Sequence, residues 1–122
     1  MSKQAVGGSQ PGGAYSPGII AAGRLLFVAG QTPTRDGVVV GETVQEQTLV
    51  ALDNMAAVLA AAGASFADVV RCGVYLDDMA DFEEMNEAYA SRFPDPLPVR
   101  TTVGVNLHGF MVEIDCIAVL PD

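Results

Sequence analysis

The stretch "TVQEQTLVALDNMAAVLAAAGASFADVVRCGVYL", residues 43–76, changes its hydrophobic period part-way along. Through Ala62, the residues Val44, Thr48, Leu52, Met55, Leu59 and Ala62 recur at three- and four-residue steps, which marks one face of a helix. Thr43 and Glu46 have the spacing of a capping box, and Gly63 stands where a helix C-terminus places its left-handed residue. From Val69 the period drops to two. Val70, Cys72, Val74 and Leu76 fall on one side, and Val69, Arg71, Gly73 and Tyr75 on the other, which is a strand. Ala56, Ala57, Ala60 and Ala61 let the helix approach a sheet closely.

The pattern extends in both directions. Asp81 and Glu84 are spaced to cap a second helix that carries Phe82, Met85, Tyr89 and Phe93 on one face, and the prolines of "FPDPLP" (93–98) end it. "VRTTVGV" (99–105) and "MVEIDCIAVL" (111–120) then read as strands joined by the short loop "NLHGF" (106–110). On the other side, the apolar residues 19–22, a turn at Gly23 and the run Leu25 to Ala29 ended by Gly30 have a hairpin signature. "DGVVVGE" (36–42) supplies another short strand. Residues 1–13, "MSKQAVGGSQPGG", have almost nothing to bury and are expected to form a flexible arm. The order of elements predicts one α+β domain over residues 1–122, an α/β layer with two helices on one face of a mixed sheet. The other face is left bare. Ile114, Cys116 and Ala118 lie on one side of the last strand and Ile117 and Val119 on the other, so both sides need cover, and a second copy of the chain is the simplest one.

Composition narrows the partners. Acids outnumber bases 15 to 6, giving a formal net charge of −9, which works against binding phosphates and so against nucleic acid. No apolar run nears the roughly twenty residues of a membrane span, and no signal-like segment opens the chain, so a soluble, cytoplasmic protein is expected. Cys72 and Cys116 sit inside apolar strands and are read as reduced, buried hydrophobes. His108 is the only histidine and no paired Cys or His spacing exists, so no metal is expected. His108 beside Gly109 reads as a turn residue, no G-x-S-x-G occurs, and "GGSQPGG" lacks the lysine and preceding strand of a phosphate loop.

Arg100 is the most informative cation. In "LPVRTTVGV" (97–105) it alternates with Val99, Thr101, Val103 and Val105, which have the look of a buried strand face. A guanidinium is always charged, so it must meet an anion or water, and its planar fork suits a carboxylate. Glu113, flanked by apolar residues on the last strand, could act as a base or acid. The pattern equally allows a structural ion pair between Arg100 and Glu113 across the hairpin, because the loop hides the register that decides whether they share a face. Asn86 on the second helix could reach a ligand or satisfy backbone, and Tyr15 follows the glycine-rich arm as a possible surface anchor.

Taken together, these residues resemble the RidA (YjgF) family of reactive-intermediate imine deaminases. The resemblance runs from Tyr15 to Val119 through "AYSPG", "FVAGQTP", the central block with Gln47, Asn54, Gly63, Asp68, Val69, Phe82, Asn86 and Tyr89, the arginine strand "PVRTTVGV" and the closing "VEIDCIAV". It implies a chorismate-mutase-like fold, a homotrimer whose sheets form an inner barrel, and ligand clefts between subunits. The implied activity is cofactor-independent hydrolysis of 2-imino acids or their enamines, such as 2-aminoacrylate, to 2-oxo acids and ammonia. By position, Arg100 would bind the substrate carboxylate and Glu113 would hold or activate water, with Tyr15, Ala29, Gly30, Asn86 and Thr102 lining the cleft. The chain departs from the family pattern at Ala14 in "GAYSP", at Ala29 where serine is common, at Thr102 where cysteine is common, and in the shortened turn around His108. A non-catalytic trimeric binder of small carboxylates or of a protein partner, or a deaminase of a pathway-specific enamine, would fit the same frame.

Overall fold

A computed structural model describes residues 3–121, and within them the chain runs β1 (Lys3–Val6), β2 (Gly18–Ala21), β3 (Leu25–Gln31), β4 (Thr34–Arg35), β5 (Val38–Val39), α1 (Val44–Ala61), β6 (Val69–Leu76), α2 (Phe82–Ala90), β7 (Val99–Gly104) and β8 (Val112–Val119). One-turn 3-10 helices precede β6 (Phe66–Asp68) and α2 (Met79–Asp81).

Helix α1 begins and ends as its capping residues dictate. Thr43 Oγ1 accepts the Glu46 N–H at 3.1 Å and Glu46 Oε1 accepts the Thr43 N–H at 3.1 Å, so two orphan donors are satisfied reciprocally. At the other end Gly63 takes φ 77°, and the Ala64 N–H reaches back to the Leu59 carbonyl at 2.9 Å. Thr43→Ala is expected to cost about 1 kcal/mol, seen as a lower unfolding midpoint with an unchanged denaturant slope.

The main sheet has the order β3-β8-β6-β7, with β6 and β7 parallel and the β3–β8 and β6–β8 pairs antiparallel. Helix α2 supplies the crossover that parallel neighbours require. Two helices therefore pack on one face of a mixed sheet, as expected. Leu52, Met55 and Leu59 of α1 and Met85 and Tyr89 of α2 close over Cys72, Val74, Leu76, Ile114 and Cys116. The other face is open, and Phe27, Leu25 and Val103 are 68%, 52% and 42% exposed.

Several expectations are corrected. The N-terminal arm is structured from Lys3, because β1 pairs with β2 in a ribbon of its own and the buried Lys3 Nζ donates to the Ala67 carbonyl at 3.3 Å; Met1 and Ser2 lie outside the described residues. The apolar runs 19–22 and 25–29 do not pair with each other, since β2 joins β1 and β3 joins β8. Asp81 makes no capping hydrogen bond to α2; Asp78 caps the preceding 3-10 turn instead, accepting the Ala80 N–H at 2.9 Å. Most consequential, β7 and β8 form no hairpin, because β6 lies between them.

The two thiols lie directly opposite each other on β6 and β8, free and buried. Burial pushes the Cys72 thiol up to about 12 and raises Cys116 as well. Neither should react with an aromatic disulfide reagent until the protein is unfolded, when both should.

Candidate functional site

Strand register decides which side chains can meet. Cys72 stands opposite Arg100 on one side and Cys116 on the other, so these three share a row and a face. Tyr75 stands opposite Val103 and Glu113 in the same way, on the alternate face. Arg100 thus projects beneath the helices, and Glu113 projects from the open face. Two strand spacings and three residues of rise put their Cα atoms about 14 Å apart. The pair across a hairpin does not exist in one chain, and the valines that alternate with Arg100 are the outward ones, with Val103 and Val105 42% and 46% exposed.

Arg100 is 7% exposed, and its Nε, Nη1 and Nη2 are all buried without a hydrogen-bond acceptor among the described residues. Aromatic faces surround it instead. The guanidinium carbon lies 4.7 Å from the Tyr89 ring centroid, 5.5 Å from that of Phe82 and 5.6 Å from that of Tyr15. Each face attracts a cation through its quadrupole but takes none of its hydrogen bonds. Burial draws the guanidinium below its ordinary pKa, with the nearby tyrosine and thiol groups opposing the shift. Thr102, on the same face of β7, also has a buried hydroxyl without a partner.

The rest of this half comes from α2 and the loop joining β1 to β2. Asn86 Oδ1 accepts the Ala14 N–H at 2.9 Å, and the Tyr15 hydroxyl accepts the Gly12 N–H at 2.8 Å. Gly13 is glycine for a steric reason, since a Cβ there would stand 2.8 Å from Arg100 Nη2 and 3.0 Å from Asn86 Oδ1. The structure therefore gathers Arg100, Thr102, Asn86 and Tyr15 in one place. Phe82, Tyr89 and Gly13 belong with them; the sequence reading placed Phe82 and Tyr89 on the helix face but named none of the three as a site residue. The four- and three-residue steps from Phe82 to Asn86 to Tyr89 put these side chains on one helix face, which was a legible signal.

The second half lies on the open face. At the irregularity between Val28 and Gln31, Ala29 and Gly30 are exposed beside the half-buried Glu113. A Cβ on Gly30 would overlap the Glu113 carboxylate, so this glycine lets the acid lie flat across β3. A cleft of about 250 Å³ adjoins it, lined by Phe27, Ala29, Gly30, Arg71 and Asp115 among others. Asp115 is already engaged by the Tyr75 hydroxyl at 2.9 Å and the Gly73 N–H at 3.0 Å, whereas Glu113 accepts no hydrogen bond from the described residues. His108 has φ 57° and is exposed, with its N–H donating to Asn106 Oδ1. Among the described residues no group of three His, Cys, Asp or Glu could hold a metal, and no helix is long and apolar enough to cross a membrane.

The family model for endoribonuclease L-PSP matches residues 7–120. The chain belongs to this family, the RidA/YjgF family. Mitochondrial protein mmf2 of Schizosaccharomyces pombe is 40% identical over 97% of this chain and 98% of its own length. The chloroplastic Reactive Intermediate Deaminase A of Arabidopsis thaliana is 40% identical over 88% of this chain and 59% of its own. Among solved structures, the Rid-family protein YyfB of Yersinia pestis superposes with a TM-score of 0.88 at 26% identity, covering 98% of this chain and all of its own. TdcF of E. coli, whose structure carries bound serine, gives 0.73 at 30% identity over 96% and 94%.

Proposed function

We propose that this RidA-family chain hydrolyses 2-imino acids and their enamine tautomers to 2-oxo acids and ammonia, in clefts that two copies build together. The observation that carries the proposal is the buried guanidinium of Arg100, to which the described residues present aromatic faces and no anion. Such a group is satisfied by a ligand carboxylate gripped through two N–H bonds. A relative named as a reactive-intermediate deaminase and another that binds an amino acid agree with a small carboxylate.

In the cleft, the carboxylate of the substrate would rest on Arg100, with the Thr102 hydroxyl beside it. Water would add to the C=N carbon while Glu113 takes one of its protons and passes it to the nitrogen. The second water proton would then move by the same carboxylate from the new hydroxyl to the nitrogen, so that ammonia leaves as the C=O bond forms. Imines hydrolyse unaided, so orientation and a carboxylate that relays protons from water to nitrogen are sufficient acceleration. The acidic surface, at net −9, opposes the RNA substrate that the family's endoribonuclease label suggests.

Because Arg100 and Glu113 leave one chain on opposite faces, a ligand that touches both requires a second copy seated on the open apolar face. A cyclic trimer gives every copy the same two neighbours and covers that face. The test is subunit complementation. Arg100→Ala and Glu113→Ala should each be inactive toward imine generated in place by an amino-acid oxidase. Denatured together and refolded as mixed oligomers, they should regain about a quarter of wild-type activity, the share of clefts that pair an intact Arg100 with an intact Glu113. Wild type that binds pyruvate but leaves imine lifetimes unchanged would establish a carboxylate binder instead.

A further inference from the structure

We infer that residues 7–15 form a lid over Arg100, latched by Asn86, which must lift before any ligand reaches the guanidinium. The inference rests on the carboxylate-binding role proposed for Arg100, and adds how that site is entered. All three guanidinium nitrogens are buried within a single chain, so further copies can only add cover. Some wall of this enclosure has to move.

The walls are unequal. The floor is β6 and β7, with Cys72 fully buried beside Arg100. The side wall is α2, whose Tyr89 is fully buried and stacks on Phe93 at 4.4 Å between centroids. Moving either would open the core. The remaining wall is the loop between β1 and β2, in which no residue from Gly7 to Tyr15 is buried and Gly7, Gly8, Gly12 and Gly13 provide four flexible points. Its ends are fixed. At the base, Val6 pairs with Gly18, while the Ser16 N–H and hydroxyl donate to the Pro98 and Leu97 carbonyls at 3.1 and 2.5 Å. Between these anchors, the hydrogen bond from the Ala14 N–H to Asn86 Oδ1 ties the loop to α2. Gly13, lacking a side chain, lays its backbone against Arg100 Nη2 and Phe82.

Closure without a ligand confines a charge that has no hydrogen-bond acceptor, which disfavours the closed state and leaves the aromatic faces to offset it. The lid thereby remains easy to lift despite its tidy fit. Asn86 on this account is a positioning residue that holds the lid and does not itself need to touch substrate.

The test reads Arg100 directly. Phenylglyoxal, which modifies guanidinium groups, is applied to the full chain, and the modified arginines are located by mass spectrometry. A variant carrying Ala14→Cys together with Asn86→Cys is compared oxidised and reduced; Cys72 and Cys116 are buried away from solvent. Oxidation should slow modification of Arg100 at least tenfold, with Arg35 and Arg71, which have side chains 55% and 44% exposed, unaffected. Asn86→Ala, which removes the latch alone, should speed it several-fold over wild type. Equal Arg100 rates in the oxidised and reduced forms, or no change in Asn86→Ala, would overturn the lid. Expected labelling that pyruvate fails to suppress would leave the lid standing and count against the carboxylate role.

Discussion

Arg100→Met should abolish acceleration of imine hydrolysis, with kcat/KM lower by about 10²–10³-fold, while the folded chain stays at least as stable as wild type. Both halves of this result follow from the same observation. The guanidinium supplies donors fixed in a water-poor site, and methionine supplies none. For folding, the arginine is a buried charge whose three nitrogens find no hydrogen-bond partner and no carboxylate among the described residues. Replacing buried ionic groups by apolar ones of similar volume is neutral or stabilising by about 1–4 kcal/mol, and lost cation–π contact with Tyr15, Phe82 and Tyr89 offsets about 1–2 kcal/mol of that. Calorimetry and the oxidase-coupled assay read the two quantities separately. A midpoint that falls by many degrees would show that Arg100 is a structural ion; an undiminished rate would show that it holds no substrate.

Gly30→Ala should reduce kcat about as far as Glu113→Gln does, by about 10²-fold, and combining them should add little. The added methyl overlaps the end of the Glu113 side chain, which can swing aside into solvent, so folding should be nearly unaffected. Arg100 should still grip the carboxylate, so KM should move little in both variants. Additive losses in the double variant would mean that Gly30 acts independently of the acid.

Much of the architecture was legible because it rests on local chemistry. The capping box at Thr43, the glycine after α1 and the change of period at Val69 each hold in the structure. Pairing was less legible. β7 and β8 are consecutive and close in sequence, so a hairpin is the simplest reading, but α2 had already committed β7 to lie parallel beside β6. The same error inverted the faces of β7. Valines that look buried point outward, because alternation reports which residues share a face but not which face is covered. Arg100 was conspicuous as the one cation in that run, and Asn86 by its place on the helix face. Gly13 was hidden inside a segment whose composition reads as disorder, since a glycine needed for close approach looks the same as one needed for flexibility.

The ribbon of β1 and β2 shares no ladder with the four-stranded sheet, although its loop overlies the arginine. Residues 9–12, between the glycines that the backbone and Arg100 require at 8 and 13, can therefore be lengthened, shortened or recomposed at little thermodynamic risk to the domain. Adaptation toward larger or smaller ligands, whether by natural drift or by directed evolution, has a place to act that leaves the rest of the molecule as it is.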